Sequence, residues 1–181
     1  MLIGRCSFFI TFTLLVVFFP SLASAHIMGD MHLHDSFLAG FLHPLTGLDH
    51  LLAMLSVGII STQMKHSHAI WTLPATFIGA MVIGGIAGMS GVHIAGAEIG
   101  IALSVLLLGT FIFSGRKLSA RVMYGFAAIF AFCHGYAHGA EMPEHAHAGM
   151  FVAGFIMATA TIHLVGVTLG LLSGRTFKPR V

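Results

Sequence analysis

The stretch "FLAGFLHPLTGLDHLLAMLSVGII", residues 37–60, is long and oily enough to cross a bilayer, yet it carries His43, Asp49 and His50. About twenty apolar residues in a helix span the hydrocarbon core. A position that only needed burying would hold leucine. The rest of the chain decides which setting applies. Of its 181 residues, 57% are hydrophobic and 8% are charged. A soluble domain carries about 25% charged residues, so this chain cannot cover a surface with polar groups. Its apolar runs must face lipid. The expected fold is all-α: a single polytopic transmembrane helix bundle.

Working outward, residues 1–25, "MLIGRCSFFITFTLLVVFFPSLASA", have the layout of a cleaved signal peptide. Arg5 precedes an apolar core from Phe8 to Phe19, too short for a span, and Ala23 and Ala25 are small residues placed for cleavage before His26. Residues 26–181 then form the bundle. Five apolar stretches are expected as spans, at about 37–60, 69–89, 92–113, 122–140 and 148–172. The glycines of "GGIAGMSGVHIAG", residues 84–96, mark a tight turn or broken helix between the second and third.

Positive charge gives an orientation. With the mature N-terminus outside, Lys65, Arg116, Lys117, Arg121, Arg175, Lys178 and Arg180 all fall in or beside inside segments. The C-terminus is then cytoplasmic. Gly84 with Gly88, Gly96 with Gly100, and Gly166 with Gly170 have the small-xxx-small spacing of closely packed membrane helices. The net charge of +2 and the lack of a basic stripe argue against a nucleic-acid partner. With Cys6 in the removed segment, Cys133 stands alone, which excludes a disulfide framework and a thiolate metal site.

The thirteen histidines outnumber Lys and Arg together. An ionisable group within a membrane helix costs roughly 2.5–3.5 kcal/mol to insert and usually faces a cavity or a partner. His43 and His50 are seven apart, about two helical turns, with Asp49 adjacent and Met54 one turn beyond. Pro44 and Gly47 can distort the helix there. The second cluster is "FCHGYAHGAEMPEHAH", residues 132–147, where His134, His138 and Glu141 fall at i, i+4 and i+7 on one helical face. Two imidazoles one turn apart reach one ion. Imidazole nitrogen with carboxylate oxygen suits divalent Ni, Zn, Co or Cu(II) better than Mg or Ca. The bland alternative is that these groups satisfy one another or relay protons. Glu98 and His163 are further membrane-embedded candidates without an assigned role. His34, Asp35, Glu144, His145 and His147 lie where an outside segment could capture a cation.

"HPLTGLDHLLAM" and "FCHGYAHGAE" together resemble the two signatures of the HupE/UreJ family, and the resemblance covers essentially the whole mature chain. It implies a nickel permease or metal-uptake accessory protein of the bacterial inner membrane, associated with hydrogenase or urease maturation proteins. By resemblance His43, Asp49 and His50 match the first motif, and His134, His138 and Glu141 match the second. Nickel is then transported substrate, with cobalt or zinc open, and no tightly bound cofactor or catalytic residue is expected. The competing classes are an intramembrane hydrolase and a metal sensor. The hydrolase would be metal-dependent, or would use the serine pattern Gly88-Met89-Ser90-Gly91 with His163 as base.

Overall fold

A computed structural model describes residues 33–114 and 118–173. The expected signal peptide and six of the eight Lys and Arg of the chain, Arg5, Arg116, Lys117, Arg175, Lys178 and Arg180, lie outside them. The described residues form six helices and no strand: α1 Leu33–Thr46, α2 Leu48–Gln63, α3 Ala69–Met89, α4 Ala97–Ser114, α5 Ala120–Ala140 and α6 Ala148–Leu172.

The opening stretch is two helices, not one. Proline has no N–H to bond the carbonyl four residues back, and Pro44 sits inside the last turns of α1. Thr46 Oγ1 donates to the His43 carbonyl at 2.7 Å. Gly47 then adopts extended backbone, φ −94° and ψ 113°. The chain re-enters a helix at Leu48 with its direction changed by 82°. Across the break Gly47 keeps one turn-closing contact, its carbonyl accepting from Leu51 N at 2.9 Å.

Where five spans were expected, length and composition single out fewer of the described helices. Two helices, α3 and α6, are long and apolar enough to cross a membrane, or three spans if the bent α1–α2 pair counts as one. The apolar part of α4, Ala97–Ile112, is shorter. In α5 the run of 21 residues is interrupted by Arg121, His134 and His138. The protein is a helical membrane protein whose three most polar helices, α1, α2 and α5, carry the histidines of the two motifs.

Packing is by backbone approach. α3 packs most extensively on α5, and α6 receives both α1 and α2. A Cβ at Gly84 or Gly88 would strike the Phe132 or Tyr136 carbonyl of α5, and one at Gly135 or Gly139 would strike the Met81 or Gly85 carbonyl of α3. Gly58 and Gly166 do the same between α2 and α6. Of the expected glycine pairs, Gly84/Gly88 and Gly166/Gly170 lie at helix contacts. Gly96 does not: it takes φ +88° in the turn before α4, while Gly100 alone lies against Cys133. That turn is held by Tyr136 of α5, whose hydroxyl donates to the Val92 carbonyl at 2.8 Å and accepts from Ile94 N at 2.9 Å.

The core is apolar and continuous. It includes Met54, Val57, Leu73, Phe77, Met81, Leu108, Ala127, Phe130, Ala131 and Ile162. Because the start of α2 meets the end of α5, Lys65 and Arg121 lie at one end of the bundle, opposite Glu141. They are the described residues' only Lys and Arg.

Candidate metal centre

Three helix ends bring the two histidine motifs together. His43 comes from the last turn of α1, His50 from the first turn of α2, and His134 and His138 from the last turns of α5. Had residues 37–60 been one straight helix, His43 and His50 would have stood two turns apart, about 10 Å along its axis. The 82° break folds them instead around one residue, His138. Its ring centroid is 4.6 Å from His43 and 4.3 Å from His50, and His50 is 4.6 Å from His134.

These contacts make two overlapping donor groups. One is His50, His134 and His138; the other is His43, His138 and Glu141. In each, one ligand atom per residue lies within 4.8 Å of the others. A metal about 2.1 Å from each nitrogen needs donors within roughly 4.2 Å of one another, so small side-chain rotations close either group on an ion. His138 belongs to both.

The nitrogens are buried and unpaired. His134 is 0% exposed and His138 4%. His50 Nε2, His134 Nδ1 and both nitrogens of His138 have no hydrogen-bond partner. Leaving a buried polar atom unpaired costs about 1–3 kcal/mol. The bland alternative, histidines that satisfy one another, does not describe this arrangement: the rings pack against each other without a hydrogen bond between any two of them.

Two neighbours orient the ring lone pairs. A carboxylate only accepts, so Asp49 Oδ1 fixes the proton of His50 on Nδ1, at 2.9 Å, and leaves Nε2 as a lone pair facing the cluster. Asp49 Oδ1 also accepts from the backbone N of His50 at 2.9 Å, at the helix N-terminus, where an anion is favoured. Asp49 therefore lies behind His50 and belongs to neither donor group. On the other side Ser104 of α4 has one proton, directed to the Ile101 carbonyl at 2.6 Å. Its Oγ must then accept from His134 Nε2 at 2.9 Å, which leaves the His134 lone pair on Nδ1. Ser104 went unmarked in the sequence, because a membrane-helix serine ordinarily bonds back to its own helix.

Glu141 groups with His138 and His43 and not with His134. α5 ends at Ala140, and Glu141 caps it with φ −95° and ψ 4°. Its Oε2 lies 3.6 Å from His43 Nε2, on the exposed side of the cluster. The adjacent imidazole holds the Glu141 carboxyl below its ordinary value, so it offers an anionic oxygen at the mouth. Phe151 and Phe155 of α6 wall this end, with ring centroids 5.7 Å from His43 and 4.4 Å from His138.

The remaining candidates lie elsewhere. Glu98 is exposed in the first turn of α4 and in neither group. Met54 is fully buried in the apolar core. His34, Asp35, Glu144, His145 and His147 are exposed at the Glu141 end, and the His147 backbone N donates to Ser36 Oγ at 3.1 Å. Ser90, of the serine pattern, is exposed at the end of α3, with its hydroxyl on the Ala87 carbonyl. His163 packs on Phe77, thirteen residues and roughly 20 Å back along α3, so this serine and histidine form no pair.

The HupE / UreJ protein family matches residues 14–181 of the chain. A curated relative, "Protein HupE" of Rhizobium leguminosarum bv. viciae, is 38% identical over 163 residues, covering 90% of this chain and 83% of the relative. No solved structure matches. The match spans both histidine motifs and every helix that positions them, and the chain belongs to the HupE/UreJ family.

Proposed function

We propose that this protein is an inner-membrane importer of nickel, or of a similar divalent transition metal, supplying metalloenzyme maturation of the hydrogenase or urease type. The observation that carries this reading is the sharing of His138 between two donor groups with unpaired nitrogens. A resident structural ion needs one closed set of ligands. A moving ion needs successive sets that overlap, so that one bond forms before another breaks.

Glu141 and His43 take the hydrated ion at the exposed mouth. His138 turns from this group to the next, and the ion exchanges Glu141 and His43 for His50 and His134. Asp49 and Ser104 keep the lone pairs of His50 and His134 directed inward, so the inner group is preorganised. Neutral imidazole and one carboxylate favour nickel, cobalt and zinc over magnesium or calcium. The chain's own part is binding, orientation and passage, without a reacting bond.

The test is uptake of radiolabelled nickel into proteoliposomes by wild type, His50→Ala and His138→Ala, with cobalt and zinc as competitors. Uptake is expected in wild type and lost in both variants, and the competition ranks the metals. Uptake unchanged in both variants would overturn the path. Nickel bound by the wild type but never accumulated would favour a sensor.

A further inference from the structure

One buried histidine belongs to neither donor group. His163, on α6, is 1% exposed, and neither ring nitrogen has a hydrogen-bond partner. The polar side chain one turn away does not serve it: Thr159 Oγ1 is directed to Met81 Sδ, at 3.8 Å. A proton relay needs a hydrogen-bonded neighbour, and His163 has none. A position that only filled space would hold an aliphatic or phenylalanine side chain, as its neighbours Ile162 and Phe77 do.

Its depth is set by two helices independently. The His163 carbonyl lies against Gly58 of α2, eight residues beyond His50, about 12 Å along a helix. On α6 it is eight residues beyond Phe155, which touches His138. Both measures place it further from the Glu141 mouth than the His50–His134–His138 group. Phe77 stands between the two levels, its ring centroid 6.0 Å from His134 and 5.2 Å from His163, edge-on to the latter at 85°.

We propose that His163 is an inner metal-ligand position that receives the ion after it passes the Phe77 ring. This rests on the importer reading above. A divalent transition cation leaving three imidazoles meets no other buried imidazole and no buried carboxylate among the described residues. One nitrogen holds such an ion weakly, and a late position on a conduction path must release what it binds.

The experiment compares full-length wild type with His163→Leu, His163→Gln and His163→Cys. Nickel binding is measured by equilibrium dialysis in detergent, and radiolabelled nickel uptake in proteoliposomes. Expected is binding at the outer groups within about twofold of wild type, with uptake by His163→Leu and His163→Gln at least about tenfold slower, the lower end of losses around metal sites. His163→Cys, which restores a transition-metal ligand, should recover a measurable part of the rate. If His163→Leu loses binding because it misfolds, the polar His163→Gln decides. Wild-type uptake rates in His163→Gln with binding intact would overturn the role of His163 and leave the importer reading standing. A wild type that binds nickel without accumulating it would overturn both.

Discussion

At the scale of single residues, Asp49 and Ser104 act through histidines. Asp49 fixes His50 with Nε2 free, and Ser104 fixes His134 with Nδ1 free. Removing such an orienting group costs about 10–100-fold in metal affinity. Asp49→Ala should therefore weaken nickel binding by that much, and Asp49→Asn by less, since its amide oxygen still accepts from His50. Isothermal titration of the purified variants measures both, and equal affinity in Asp49→Ala and wild type would rule out the orienting role. Asp49 was legible in the sequence because a carboxylate in a membrane helix demands a reason. Its position behind His50, outside both donor groups, was not, since spacing alone does not distinguish a ligand from its support. Ser104 was not legible at all. Thr110, Thr161 and Thr168 make the same kind of bond to their own helix that Ser104 makes, and only the tertiary fold sets His134 beside one of them.

At the scale of elements, the cluster depends on how closely α3 and α5 approach and on the break between α1 and α2. The sequence marked Pro44 and Gly47 as distorting, but hydrophobic periodicity runs through the break unchanged, so His43 and His50 read as one face of one helix. The true arrangement joins them by an 82° bend, an angle that residue types do not encode. The α3–α5 contact was half legible: Gly84 and Gly88 stood out by spacing, while Gly135 and Gly139 were obscured within the histidine motif. Gly135 follows His134, and a Cβ there would strike the Met81 carbonyl. Gly135→Ala should destabilise the bundle by about 1–3 kcal/mol, the range for overpacked cores, and weaken nickel binding with it. Gly79→Ala is the control. Nothing lies within 4 Å of its would-be Cβ, and alanine in a helix gains about 0.5–1 kcal/mol over glycine. Thermal unfolding in detergent followed by circular dichroism should move the two variants in opposite directions. A common shift would mean that the α3–α5 approach is not tight.

At the scale of the whole molecule, charge is segregated along the bundle. Glu141, Glu144, His145 and His34 stand at one end, and Lys65 and Arg121 at the other. If positive residues face the cytoplasm, the histidine mouth opens outward and the His163 level lies toward the inside. A divalent cation moving in that direction falls through the membrane potential. The energy is about 2.3 kcal/mol per charge per 100 mV, so a doubly charged ion gains about 4.6 kcal/mol, roughly a two-thousandfold accumulation at equilibrium. The potential alone is then sufficient as a driving force. In proteoliposomes holding a potassium diffusion potential, negative inside, nickel should accumulate without nucleotide, and reversing the potential should prevent it. Acid supplies an independent check, because imidazole must be neutral to ligate, so protons compete with the metal for its ring nitrogens. Uptake should fall as the external solution is made progressively more acidic. Accumulation that ignores the potential would require coupling to another ion, and accumulation that ignores acid would mean that the histidines do not carry the metal.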